Sequence, residues 1–172
     1  MQPASNLACA VGAAASGELT KALDRIQHCL KQLTDEQIWW RSSPAMNSIG
    51  NLILHLCGNL RQWIVIGLGG GADARNRPQE FAERQMISKE ELLRRLETVV
   101  AEANAVLTRL TEAQFLQPRR IQGFDVDGLE AIFDSIPHFR GHTQEIIHMT
   151  RSMLGDAYEF AWKPTTAEEG AP

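Results

Sequence analysis

The stretch GLEAIFDSIPHFRGHTQEIIHMTRSML, residues 128–154, decides the fold class. Its apolar residues Leu129, Ile132, Phe133, Ile136 and Ile147 recur at the spacing of a helix face, and the run is far too long for a strand. The same period gathers Asp134, His138, His142 and Glu145 into one polar stripe on roughly the opposite side. Pro137 lies inside the run, where it removes one backbone hydrogen bond and predicts a kink directly before His138.

Working outward, three further segments carry the helical period. Ser88 and Glu91 form a Ser-x-x-Glu capping box that opens a helix from Lys89 to about Thr111, with its stripe on Leu92, Leu96, Val99, Val100, Ala103, Val106, Leu107 and Leu110. Gln117-Pro118 breaks the pattern, and residues 119–127 read as a loop or short hairpin-like excursion. Upstream, Asn47 or Ser48 caps a segment through Ile49, Leu52, Ile53, Leu56, Leu60, Trp63 and Ile64 that stops at Gly69-Gly70-Gly71. The first segment begins near Gly17 and Glu18 and carries Leu23, Ile26, Leu30 and Leu33. No run alternates with the period of a strand, so the class is all-α, and four amphipathic segments with long connections predict a four-helix bundle. Residues 1–16, rich in Ala and without an initial Lys or Arg, are expected to be a loose arm. Residues 17–162 are the expected domain, and the polar tail 163–172 is expected to fray.

Composition bounds the function. A chain of 172 residues, 44% apolar and 22% charged, suits a single core. A net charge of −4 with no Lys/Arg cluster argues against nucleic acid as a partner. No apolar run approaches the roughly 20 residues of a membrane span, so a soluble chain with no membrane partner is expected. Cys9, Cys29 and Cys57 are odd in number and lack C-x-x-C spacing, which points away from disulfides and zinc knots and toward a reducing cytoplasm. The second segment is apolar almost all the way round, and with Trp39, Trp40 and Trp63 it offers enough large apolar surface to predict a homodimer.

The histidines differ in what they can do. His28 faces away from the Leu23, Ile26, Leu30 stripe and is expected at the surface, and His148 lies about 240° round the helix from His142 and cannot share its face. His138 and His142 stand one turn apart on one side of their helix, a separation two imidazole nitrogens can close around one metal ion, although a solvated face shows the same spacing. Phe139 occupies the place of the Glu in the zinc-protease H-E-x-x-H motif, so that general base is missing. Through the apolar second segment runs one narrow polar stripe, Asn51, His55, Asn59 and Gln62. A buried His55 must have its nitrogens satisfied either by neighbouring amides or by a metal.

The pattern Asn47-Ser48-Ile49-Gly50-Asn51-Leu52-x-x-His55-Leu56-x-Gly58-Asn59-x-Arg61-Gln62-Trp63, with Ile121-Gln122-Gly123-Phe124-Asp125 and His138-Phe139-x-x-His142-Thr143, resembles the DinB-like superfamily of metal-dependent four-helix bundles. The resemblance extends from about Gly17 to Trp162. It implies an up-down-down-up bundle, often dimeric, with His55, His138 and His142 as ligands of a divalent metal. Many relatives follow the last His with Gly-Gln, where this chain has Gln144-Glu145. Characterised relatives include thiol S-transferases that use bacillithiol or glutathione-like cofactors and a mycothiol-dependent isomerase, and others are described as metal-dependent hydrolases. Three imidazoles suit zinc or nickel and are compatible with iron or cobalt. On this reading the expected activity is metal-assisted transfer of a low-molecular-weight thiol to an electrophilic small-molecule substrate, with a metal-dependent hydrolase and a non-catalytic metal-binding or stress protein as alternatives. Asp134 or Glu145 would orient a ligand or accept a proton, and Asn51 and Asn59, one turn to either side of His55, would hold its ring as Asp134 would hold His138.

Overall fold

Ten residues before the expected start near Gly17, the chain is already helical. The computed structural model describes residues 7–162, and its first helix, α1, spans Leu7–Lys31. The expected loose arm is therefore corrected for residues 7–16, while residues 1–6 and the tail 163–172 lie outside the described residues. Alanine is the strongest helix former and presents almost no side chain, so an Ala-rich run can pack its backbone closely. Ala8, Gly12 and Ala15 are buried, and a Cβ on Gly12 would run into the backbone carbonyl of Leu107.

A short helix α2 (Asp35–Trp39), closed by a Thr34–Gln37 capping box, leads to α3 (Ile49–Leu60). Ser48 caps α3, with Asn51 taking the place Glu or Gln usually holds in such a box. The segment Arg61–Ile66 continues α3 as a π-helix. A loop follows to α4 (Arg77–Ala82), capped by Asn76 with Pro78 in its first turn. Helix α5 (Lys89–Leu107) opens on Ser88 and stops four residues short of Thr111, because Thr111 caps a separate turn, α6 (Glu112–Phe115). The excursion after it is a hairpin of β1 (Arg119–Ile121) and β2 (Phe124–Val126), paired Arg119 to Val126 and Ile121 to Phe124. Helix α7 (Gly128–Leu154) has the expected bounds, starts on an Asp127–Glu130 capping box and runs on through Pro137.

The four long helices form an up-down-down-up bundle, in which α1 and α3 each pack on α5 and α7. Their directions follow from who meets whom. Lys89 at the start of α5 bonds Asp35 and the Leu33 carbonyl beyond the end of α1, so α1 and α5 are antiparallel. Trp39 lies against Gly50 at the start of α3 and donates to the Ile87 carbonyl just before α5, so α3 and α5 run together. Asn59 late in α3 meets Ser135 early in α7, which makes that pair antiparallel.

Leu19, Ile26, Leu30, Leu52, Leu56, Leu60, Leu92, Leu96, Phe139 and Ile146 are fully buried, each side chain of this size contributing roughly 1.5–3 kcal/mol. Phe133, read as core, is 68% exposed, and Phe139 is buried in its stead. Because α7 is clasped by α1 and α3, its buried face runs Ile132, Ser135, Ile136, Phe139, Thr143, Ile146 and Thr150, rotated from the leucine and isoleucine stripe. Of the tryptophans counted toward the expected homodimer surface, Trp39 and Trp63 are buried and Trp40 is 53% exposed. No helix among the described residues is long and apolar enough to cross a membrane.

Candidate metal centre

His55 reaches the site from the buried middle of α3, and His138 and His142 from one face of α7 where it crosses α3. One ligand atom from each of the three lies within 4.8 Å of the others. The rings meet edge to face, with centroids 5.1 Å apart for His55 and His138, 5.2 Å for His55 and His142, and 4.6 Å for His138 and His142. Continuity of α7 through Pro137 keeps the two α7 imidazoles one turn apart, so the kink expected before His138 does not separate them.

What holds the rings matters as much as where they stand. His55 Nδ1 lies 2.9 Å from Glu80 Oε2, and an ionised carboxylate only accepts, so the ring donates from Nδ1 and its Nε2 lone pair faces the centre. Arg75 Nη2 also lies 3.1 Å from Nδ1, but its acceptor is Glu80 Oε2 at 2.8 Å, since two N–H donors cannot satisfy each other. Arg75 Nε donates to Glu80 Oε1 at 2.7 Å, which completes a two-point pair whose side chains are 6% and 10% exposed. The π-helical segment joins the same network. Gln62 accepts from Arg75 Nη1 at 2.9 Å and donates to Asp73 at 2.5 Å, and Asp73 accepts the Arg75 backbone N–H. Burial alone would raise the Glu80 carboxyl, but the hydrogen bonds and charges of Arg75 and His55 outweigh it and hold the group below the ordinary carboxylate range. Gly58 makes room for the pair, because a Cβ there would collide with Glu80 Oε1 and sit 2.9 Å from Arg75 Nε.

On α7, His142 Nδ1 donates to Glu145 Oε2 at 2.7 Å, so its Nε2 is likewise directed inward. His138 is pushed down to about 4, chiefly by burial and then by the charges of His142, His55, Arg75 and Arg77, and is neutral at pH 7. Its Nε2 lies 2.9 Å from His55 Nε2. Two lone pairs cannot face each other at that distance without a proton or cation between them. Three converging imidazoles, two with an outer ring nitrogen held by a carboxylate, are the donor set a divalent metal takes.

The other expected residues fall in different places. Asn51 closes the α3 cap, accepts from Arg41 and donates to the carbonyls of Glu80 and Glu83, so it fastens α4 to α3 and does not touch the imidazole. Asn59 accepts from Ser135 and ties α3 to α7. Asp134 is exposed, and among the described residues its carboxylate has no hydrogen-bond or ion-pair partner, so it does not hold His138. Glu145 lies against the His142 ring, its Oε2 2.7 Å from Nδ1. His28 is half-buried, 2.6 Å from the Glu159 carbonyl, because residues 155–162 fold back over α1; His148 is exposed. Sequence reasoning missed Glu80, in the short helix α4, and Arg75, in the loop before it, neither marked by periodicity; the only sign of them was Gly58 inside the α3 motif.

Beside His55 and His138 opens a cleft of about 410 Å³, lined also by Asn59 and Ser135, by Trp63, Gln122 and Phe124, and by the charged Arg75, Arg77 and Asp134. The chain's own thiols stand apart from the triad. Burial pushes the Cys57 thiol up to about 12 and raises that of Cys29.

A family model described as "Protein of unknown function (DUF1572)" matches residues 13–165. Among solved structures the fold is similar to a conserved protein from Enterococcus faecalis, with TM-score 0.72 at 19% identity over 84% of this chain and 98% of that one. A DinB-like protein from Bacillus cereus ATCC 10987 gives 0.62 at 16% identity, covering 78% and 87%, and one from Bacillus subtilis gives 0.61 at 16%, covering 81% and 92%. No curated protein matches the chain.

Proposed function

The chain belongs to the DinB-like family matched by this model, and on that premise we propose that it binds one divalent metal through His55, His138 and His142 and uses it to activate a small thiol for attack on an electrophilic small molecule. The observation that carries the reading is the convergence of three imidazole nitrogens within 4.8 Å, with Glu80 and Glu145 taking the outer ring protons of two of them. Zinc or nickel suits an all-imidazole set. When bound, such an ion supplies a positive charge that lowers the pKa of a thiol or water held against it toward neutrality.

The chain's residues do the rest. His55, His138 and His142 occupy one side of the site and leave the cleft side open to a ligand, as catalytic rather than structural sites do. Trp63 and Phe124, with ring centroids 6.3 Å apart, supply an aromatic face to the cleft. Glu145 is committed to His142, so the proton a thiol releases passes to solvent through the open cleft. The thiol comes from outside on this reading, since Cys29 is buried and Cys57 half-buried, both with raised pKa values, and none of the three cysteines lines the cleft.

The test is product analysis of zinc- and nickel-loaded protein acting on a model electrophile, such as 1-chloro-2,4-dinitrobenzene or a monohalobimane, with and without a small thiol. The expected result is a thioether that forms faster than in the uncatalysed mixture and no turnover when His142 is replaced by Ala. Ester or amide cleavage that proceeds equally well without any thiol would overturn the reading in favour of hydrolysis.

A further inference from the structure

Two charged side chains at the cleft have nothing to pair with. Arg77, in the first turn of α4, lies over the Phe81 ring with its guanidinium carbon 5.0 Å from the centroid, and among the described residues it has no carboxylate or carbonyl acceptor. Asp134, exposed one turn before His138 on α7, has no donor among the described residues. Both line the same cleft, they come from different helices, and they form no ion pair with each other. Every other charge near the triad is matched: Arg75 to Glu80, and Glu80 and Glu145 to ring nitrogens. The facing wall is fixed. Trp63 Nε1 donates to Gln122 Oε1 at 2.8 Å, and Gln122 is held at φ 52° in the hairpin turn, a conformation that costs a non-glycine residue energy and so marks a wall kept in place by its surroundings.

A cleft with one unpaired cation, one unpaired anion and an aromatic wall is complementary to a small zwitterion. We propose that the cleft selects a thiol of amino-acid type, its carboxylate on Arg77 and its ammonium on Asp134, so that these two residues set which thiol reaches the triad. The assignment rests on the thiol-transfer reading for the nature of the ligand, but the charge complementarity stands on the cleft alone. Arg77 and Asp134 are the specificity-determining pair, and neither is a ligand of the metal.

The test is a ladder of probes on zinc-loaded protein at low ionic strength, followed by calorimetry and, for the cobalt-loaded form, by the visible spectrum, with metal content checked after each titration. L-Cysteine carries both charges, 3-mercaptopropionate lacks the ammonium, cysteamine lacks the carboxylate and 2-mercaptoethanol lacks both. One charge-assisted hydrogen bond is worth about tenfold in affinity, so cysteine is expected to bind about tenfold tighter than either singly charged thiol, with the gap narrowing as salt is added. Arg77→Gln should bring cysteine down to the level of cysteamine and leave cysteamine unchanged. Asp134→Asn should bring it down to the level of 3-mercaptopropionate. These differences between variants separate recognition from simple chelation, which both variants retain. The same ladder built on the S-methyl thioethers reads the charges without a thiol. If the thioethers show the ladder but thiols give no additional effect on the cobalt spectrum, the charge selection stands and the thiol reading falls. If neither series discriminates, or if both variants leave the ratios unchanged, the proposal is overturned.

Discussion

Replacing Glu80 by Gln tests how the centre is held. Glu80 Oε2 accepts from His55 Nδ1 at 2.9 Å and from Arg75 Nη2 at 2.8 Å, while Oε1 accepts from Arg75 Nε at 2.7 Å. A glutamine has one acceptor oxygen where these three bonds need two. With its oxygen toward Arg75 Nε, its amide N–H₂ meets the His55 N–H, and the ring relieves the clash by moving its proton to Nε2, the atom that must be bare to bind metal. Loss of such an outer-ring partner is expected to weaken zinc binding about 10 to 100-fold, which is ~1.4–2.7 kcal/mol. The apoprotein should suffer as well. Arg75 is 6% exposed and loses its counter-charge, and removing one member of a buried pair costs about 3–5 kcal/mol in the absence of a substitute acceptor, an upper bound for a Gln that still accepts one bond. Zinc affinity is read by competition with a chromophoric chelator, and stability by urea denaturation of the apoprotein. The double variant Arg75→Met/Glu80→Leu separates the two effects, since an apolar pair restores much of the stability but cannot fix the His55 tautomer. Zinc affinity of Glu80→Gln within about twofold of the parent, outside the range expected of an outer-ring partner, would refute the reasoning.

Other expectations follow from the same contacts. Gly58→Ala places a methyl where Glu80 Oε1 and Arg75 Nε lie, so zinc affinity should fall in the manner of Glu80→Gln with far-ultraviolet circular dichroism unchanged. Asn59→Ala, which touches Ser135 rather than a ring, should cost stability in a thermal melt while leaving zinc stoichiometry intact. His28→Ala and His148→Ala should leave metal content at the parental value by elemental analysis, and His28→Ala alone should loosen residues 155–162, read as faster proteolysis there. With a pKa of about 12, Cys57 is thiolate in only about one part in 10⁴ at pH 8, so iodoacetamide should modify the exposed Cys9 first, and Cys57 labelling should climb as pH rises toward 12.

Much of this architecture was legible because helices announce themselves by period. The run Gly128–Leu154 and the Ser88 cap gave α7 its full length and α5 its start, and the apolar wrap of α3 marked His55 as buried. Where small residues carry the packing, periodicity is silent, so the Ala-rich start of α1 looked like an arm until it was seen pressed against Leu107. The three candidate ligands could be named because each sits at a fixed helical phase. Their supports could not, because Glu80 and Arg75 come from a loop and a six-residue helix, placed by a cap at Asn76 and a gap at Gly58 rather than by any repeat. Asn51 and Asn59 show the opposite failing. One turn along a helix from His55 is close enough to suggest a bond to the ring, yet both buried side chains bond elsewhere, Asn51 to α4 and Asn59 to α7, and tie neighbouring elements together.

The central claim is that His55, His138 and His142 together hold one divalent metal. The most direct measurement is the zinc stoichiometry of protein reconstituted with zinc and freed of excess, determined by elemental analysis for the parent chain and for the variant with all three histidines changed to alanine. The account predicts one equivalent in the parent and none in the variant, with helix content retained in both. One equivalent held by the triple variant, or none held by the correctly folded parent, would contradict it.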